Sequence, residues 1–180
     1  RAVRGAGAAR RVLARVTLAE AAAQADGLAE AGDERALATL RAQWDEEVEH
    51  AARHADYRVR AQAYRAIAQF RFRQKLELLR RGLEDESPAA RGSALIALEG
   101  LSRQHPGDVN GMRPLLHDLA SHDGNAAVRR LAIVCLKNGT PERQTIQLLN
   151  GLAEDDEQDG EVRKTAKAVA AALQKRANTR

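Results

Sequence analysis

Apolar side chains recur along this chain at helical spacing, and the recurrence itself repeats. Four segments carry an arginine preceded by a small or β-branched residue, Val59-Arg60, Ala90-Arg91, Val128-Arg129 and Val162-Arg163, spaced 31, 38 and 34 residues apart. Three residues beyond each arginine stands Ala63, Ala94, Ala132 or Ala166. Six beyond come Ala66, Ala97, Cys135 and Val169, and seven beyond come Ile67, Leu98, Leu136 and Ala170. Those offsets trace one stripe of an α-helix, so each copy is expected to bury the same face.

Each such helix is announced four residues before its arginine by Asp56, Ser87, Asn125 or Asp159, side chains that accept hydrogen bonds from a first helical turn. Pro88 fits the position after Ser87, where its missing N–H costs nothing. A second amphipathic segment precedes each start. These segments are Ala36, Leu37, Leu40, Trp44 and Val48, then Leu76, Leu79 and Leu83, then Met112, Leu115, Leu116 and Leu119, then Ile146, Leu149 and Leu152. The predicted unit is helix, short turn, helix, four times over.

These residues resemble the HEAT and HEAT-like repeats, above all the short bacterial-type version with an acidic turn ahead of the arginine and spaced alanines. Glu84 to Leu98 is the nearest match, and the likeness extends over about residues 33–175. The resemblance implies an all-α solenoid of about four repeats, near 33–70, 74–104, 109–138 and 141–175, with second helices on a concave side. It also implies a structural ladder in which turn aspartates meet helix arginines, at Arg60, Asp85, Arg91, Asp123, Arg129 and Arg163. His54 and Glu157 take the turn position in the outer copies, which leaves the ladder open at both ends. Residues 1–32 depart from the pattern. Val12, Leu13, Val16 and Leu18 predict one extra helix, ended near Gly27 or Gly32, that either caps the stack or completes a longer one. The last residues, Arg176 to Arg180, are expected to fray.

Composition narrows the fold class. Alanine abounds while Phe, Trp and Tyr make up 3% of the chain, which argues against a β-sandwich or barrel and for helices packed through small side chains. No apolar run reaches the length of a membrane span. Arg1, Arg4, Arg10, Arg11 and Arg15 precede Leu18 with no acid between them, as in an organelle-targeting peptide, but without its serines. One cysteine, Cys135, forbids an internal disulfide and favours a reducing compartment, the cytoplasm or an organelle matrix. Its place on the apolar stripe makes it a small core residue.

Catalytic signatures are lacking. Gly5, Ala6 and Gly7 neither follow a strand nor lead into Gly-Lys-Ser/Thr, and four serines include no nucleophile elbow. Glu47, His50 and His54 share a helix flank and could hold zinc, though a solvated flank explains them as well. The acids from Glu154 to Glu161 fit the turn before a helix N-terminus and lack calcium-loop spacing. No cofactor or metal is implied.

Two binding readings remain. The leading one is a non-enzymatic interaction scaffold whose second helices present Gln62, Arg65, Ser93, Ile96, Arg130, Leu131, Lys164 and Thr165 to a protein partner with an acidic or mixed surface. The alternative is nucleic-acid binding by a basic patch of Arg58, Arg71, Arg73, Lys75, Arg80 and Arg81. Residues 57–81 hold eight cations against one acid, Glu77, together with Tyr57, Tyr64, Phe70 and Phe72. DNA-repair members of the resembled family set a carboxylate among aromatics, whereas Trp44 here lies on a core stripe. A pigment-attachment or chaperone role rests on fold analogy alone.

Overall fold

A computed structural model describes residues 15–179, and every regular element among them is helical. The order is α1 (Leu18–Glu30), α2 (Glu34–Ala51), α3 (Tyr57–Gln69), α4 (Leu76–Leu83), α5 (Pro88–Ser102), α6 (Pro106–Asn110), α7 (Arg113–His122), α8 (Ala126–Leu136), α9 (Arg143–Glu154) and α10 (Gly160–Asn178). A short 3₁₀ turn, Arg73–Lys75, leads into α4.

The helices pair as α2 with α3, α4 with α5, α7 with α8 and α9 with α10, and the second helices stack directly on one another in the order α3, α5, α8, α10. This is a helical-repeat solenoid. Its core is the stripe seen in the sequence: Ala63, Ala94, Ala132 and Ala166 are fully buried, as are Ile67, Leu98, Phe70 and Leu173. Alanine at the contact lets helix axes approach closely, and the bulk comes from one aliphatic side chain per turn. The first helices close the layer with Leu37, Leu79, Leu116 and Leu149, all without solvent contact. Trp44 is partly buried against this core.

Local chemistry sets the ends. Asp56, Asn125 and Asp159 accept hydrogen bonds from the first-turn N–H groups of α3, α8 and α10. Ser87 does not; Pro88 takes up the first position, and Asp85 accepts the Ser87 N–H instead, at 2.9 Å. The first helix of the third pair is broken into α6 and α7 by Gly111 and Met112.

α1 packs on α2 and α3, in the place that a second helix of a preceding pair would occupy. Its start corrects the sequence reading. Thr17 forms a capping box with Glu20, so Val16 stays outside the helix and exposed, while Val12 and Leu13, like the stretch of Gly5, Ala6 and Gly7, lie outside the described residues. Its end is a Schellman turn through Gly32 at φ 71°, with Asp33 N–H donating to Leu28 O and Gly32 N–H to Ala29 O. At the other end α10 runs through Asn178 rather than fraying from Arg176, because the Arg176 guanidinium donates to Lys137 O and Gly139 O.

Candidate functional site

One edge of the stack is occupied by arginines that serve the fold. Arg60, Arg91 and Arg129 each reach back to the carbonyl six residues earlier, on His54, Asp85 and Asp123, at 2.9, 2.8 and 2.7 Å. Each also reaches forward to the next pair. Arg60 grips both oxygens of Asp85 at 2.7 and 2.8 Å, and Arg91 grips both of Asp123 at 2.7 and 3.0 Å. Arg129 meets a neutral acceptor, Gln158 Oε1, at 2.9 Å, and Arg163 turns to Ala153 O and Asp156, each at 3.3 Å. Asp85 and Asp123 also accept the N–H groups of Ser87 and Asn125. Burial pushes the Asp85 carboxyl up, but the Arg60 and Ser87 hydrogen bonds outweigh it and hold it below its ordinary value. With both oxygens engaged, these carboxylates have little left for a ligand.

The face of the second-helix layer turned away from the first helices has another character. Arg65, Ile96, Arg130 and Lys164 are exposed there, and Gln62, Leu131 and Thr165 are half-buried. Ser93 corrects the sequence reading: α5 is flanked by α3 and α8, and neighbours on both sides leave this residue 5% exposed. Ala89, Gly92, Ser93 and Ile96 of α5 and Val128 and Leu131 of α8 line an open groove of about 630 Å³, with Tyr57 at its rim. Its charge is one-sided. α3, α5 and α8 contain one acid between them, Glu99, and that is tied to Arg103 at 2.8 Å. Arg65, Arg130 and Lys164 form no ion pair among the described residues.

The basic segment does not form one free surface, which corrects a second expectation. Arg58 binds Asp56 at 3.1 Å and lies over the Tyr57 ring. Arg71 meets Asp26 at 2.8 Å, and Arg73 meets Asp108 at 2.7 Å. Arg80 donates to Gly111 O at 2.9 Å and faces Glu77. Lys75 is buried over the Phe72 ring, with its ammonium on Asp45 at 2.8 Å and Glu49 at 2.9 Å. Burial pulls the Lys75 ammonium down, but those two hydrogen bonds prevail and raise it above its ordinary value. Arg81 remains exposed. The excess was local in sequence only, because stacking brings acids from α1, α2 and α6 against it. Stacking also gathers a cleft that no local pattern signalled: Arg41, Arg71, Arg73, Arg103 and His105 line about 480 Å³, yet each arginine is already paired or bonded to a carbonyl.

The remaining chemical candidates are absorbed locally. His54 Nδ1 accepts the Asp56 N–H at 2.9 Å, and among the described residues no group of three His, Cys, Asp or Glu side chains is placed to hold a metal. Cys135 is buried, its thiol donates to Leu95 O, and burial pushes its pKa well above the ordinary thiol range. No helix among the described residues is long and apolar enough to cross a membrane.

Residues 46–118 match the family described as HEAT repeats. Over that stretch, which runs from α2 into α7, the chain is similar to HEAT repeats. Such repeats generally serve as protein-interaction scaffolds and are typically non-enzymatic. No curated protein matches this chain.

Proposed function

We propose that this chain is a non-enzymatic scaffold that binds a protein partner through the exposed face of its second helices. The observation that carries the reading is Ile96. It is 52% exposed in an apolar groove of α5 and α8, and the one acid of α3, α5 and α8, Glu99, is already paired with Arg103. An aliphatic side chain left half in water forgoes about 1 kcal/mol that a partner would recover. The partner therefore has an apolar centre that meets Ile96 and Leu131 and an acidic rim that meets Arg65, Arg130 and Lys164, with Gln62 and Thr165 at the margins. Binding to nucleic acid is the weaker reading, since five of the six cations assigned to it, Arg58, Arg71, Arg73, Lys75 and Arg80, are engaged within the fold.

Reversing Arg65→Glu and Arg130→Glu together tests the reading. Neither side chain supports the fold, so far-UV circular dichroism stays unchanged. Capture of a partner by an Ile96 photo-crosslinker in source-cell extract should fall roughly tenfold or more. Undiminished capture sinks the proposal. Retention of random DNA that collapses between low and moderate salt favours the polyanion reading instead.

A further inference from the structure

The arginine cleft is lined by cations and backed by acids. Arg41, Arg71, Arg73, Arg103 and His105 line its space of about 480 Å³, and Glu34 is the one acid that does so. Asp26, Asp108 and Glu99 hold Arg71, Arg73 and Arg103 from outside the lining. Two of these carboxylates are withdrawn behind the guanidinium they hold: the Asp108 side chain is 10% exposed against 42% for Arg73, and Glu99 is 22% exposed against 69% for Arg103.

Pairing leaves donors over. Arg73 and Arg103 each commit Nε and Nη2 to their carboxylate, and Arg71 commits Nη1 alone. Arg41 donates Nε to Phe70 O at 2.6 Å, and its ion pair with Glu34 is loose, at 3.6 Å. Nη1 of Arg73 and of Arg103, Nη2 of Arg41, and Nε and Nη2 of Arg71 make no hydrogen bond among the described residues. None of them is sealed in the core, where Arg113 Nε is the one side-chain donor without a partner among the described residues. A guanidinium carries five N–H groups in a planar fork, so one edge can hold a carboxylate behind while another meets an anion in front.

Arg71 adds a separate observation. It follows α3 at a φ of 53°, where glycine is ordinary, so its guanidinium is what the position gains. Its Nη1 covers Ala68 O and Gln69 O, and Arg41 covers Phe70 O. The carbonyls that end α3, which would otherwise repel an anion, are thereby occupied.

We propose that this cleft binds a small phosphorylated molecule by its phosphoryl end. The cations arrive from three places: Arg41 from α2, Arg71 and Arg73 from the link between α3 and α4, and Arg103 and His105 from the link between α5 and α6. A tetrahedral phosphoryl group offers oxygens in as many directions, whereas a carboxylate offers two in one plane. The volume is that of a small-ligand site. Glu34, with its side chain 75% exposed, turns to water as the anion enters. The cleft shares no residue with the Ile96 groove, so it stands apart from the partner face.

Isothermal titration calorimetry of the full chain with pyrophosphate reads the site. One equivalent is expected to bind with a Kd below about 1 mM. Arg103→Gln and Arg71→Gly should each weaken binding roughly tenfold. Arg71→Gly relieves the left-handed φ while losing a half-exposed ion pair, so its Tm should stay within about 3 °C of the parent. Glu34→Gln removes the one lining acid and should tighten binding at least roughly twofold, which a damaged fold cannot do. Arg65→Glu with Arg130→Glu should leave it unchanged. Citrate, with carboxylates only, should bind about tenfold more weakly. The proposal is overturned if pyrophosphate binding does not saturate, if citrate binds as tightly, if both arginine variants bind undiminished, or if Glu34→Gln fails to tighten. A phosphoserine peptide that outbinds pyrophosphate would put a protein segment in place of the small molecule and overturn it too.

Discussion

Asp85 shows how one side chain ties two repeats together. Its side chain is 5% exposed, and its two oxygens take the Arg60 fork, the Ser87 N–H and, at 3.3 Å, the Tyr64 hydroxyl. A buried carboxylate is costly unless paired, and here the pairing exceeds the cost, so the folded-state pKa lies below the ordinary 3.8. The sign follows. The unfolded chain binds the proton more readily, so Asp85 contributes stability above about pH 4, and that contribution is lost as pH falls through the lower folded value. Asp85→Asn should therefore be less stable than the parent at neutral pH, and the gap between their urea midpoints should narrow steadily below pH 4. A gap independent of pH would show that charge is not what Asp85 supplies. Arg71 is the opposite kind of residue: it holds a left-handed φ of 53° where glycine is usual, secured by donation to Ala68 O, Gln69 O and Asp26.

At the scale of helices, α4 shows what the small residues are for. Gly82 lies against α3 and α5, and a methyl group there would fall 2.8 Å from Ala94 Cβ and 2.9 Å from the Tyr64 ring. Gly82→Ala gains about 1 kcal/mol of helix propensity and loses about 1–3 kcal/mol to overpacking, so a lower Tm is expected by calorimetry. A raised Tm would mean that α4 can move away from α5. The packing stripe was legible in the sequence because a helix presents the same face every 3.6 residues, whatever its neighbours do. Surface chemistry was less so. Lys75 reads as a solvated cation until α2 brings Asp45 and Glu49 to it, and Ser93 reads as outward until α3 and α8 enclose it. Ile96 keeps its exposed position because none of the described residues covers it. What a side chain meets across a repeat boundary is a tertiary fact, and no spacing within one helix encodes it.

Over the whole molecule, each junction between neighbouring pairs is fastened at two edges. The turn edge carries Arg60 with Asp85, Arg91 with Asp123 and Arg129 with Gln158. The opposite edge carries Lys75 with Asp45, Arg73 with Asp108 and Arg113 with Glu142. In a repeat stack, stability is a sum of pair and junction terms, and cooperativity survives only while junctions outweigh the instability of single pairs. Double fastening should therefore make the chain unfold as one unit, with Trp44 fluorescence in α2 and far-UV circular dichroism giving coincident urea curves. Asp123→Ala is the severing change. It strands the Arg91 guanidinium in a partly buried site, costs about 3 kcal/mol at the middle junction, and should separate the two curves. Gln158→Ala removes a neutral acceptor, costs about 1–2 kcal/mol, and should leave them coincident. Curves already separate in the parent chain would mean that the junctions do not govern cooperativity and that the pairs fold independently.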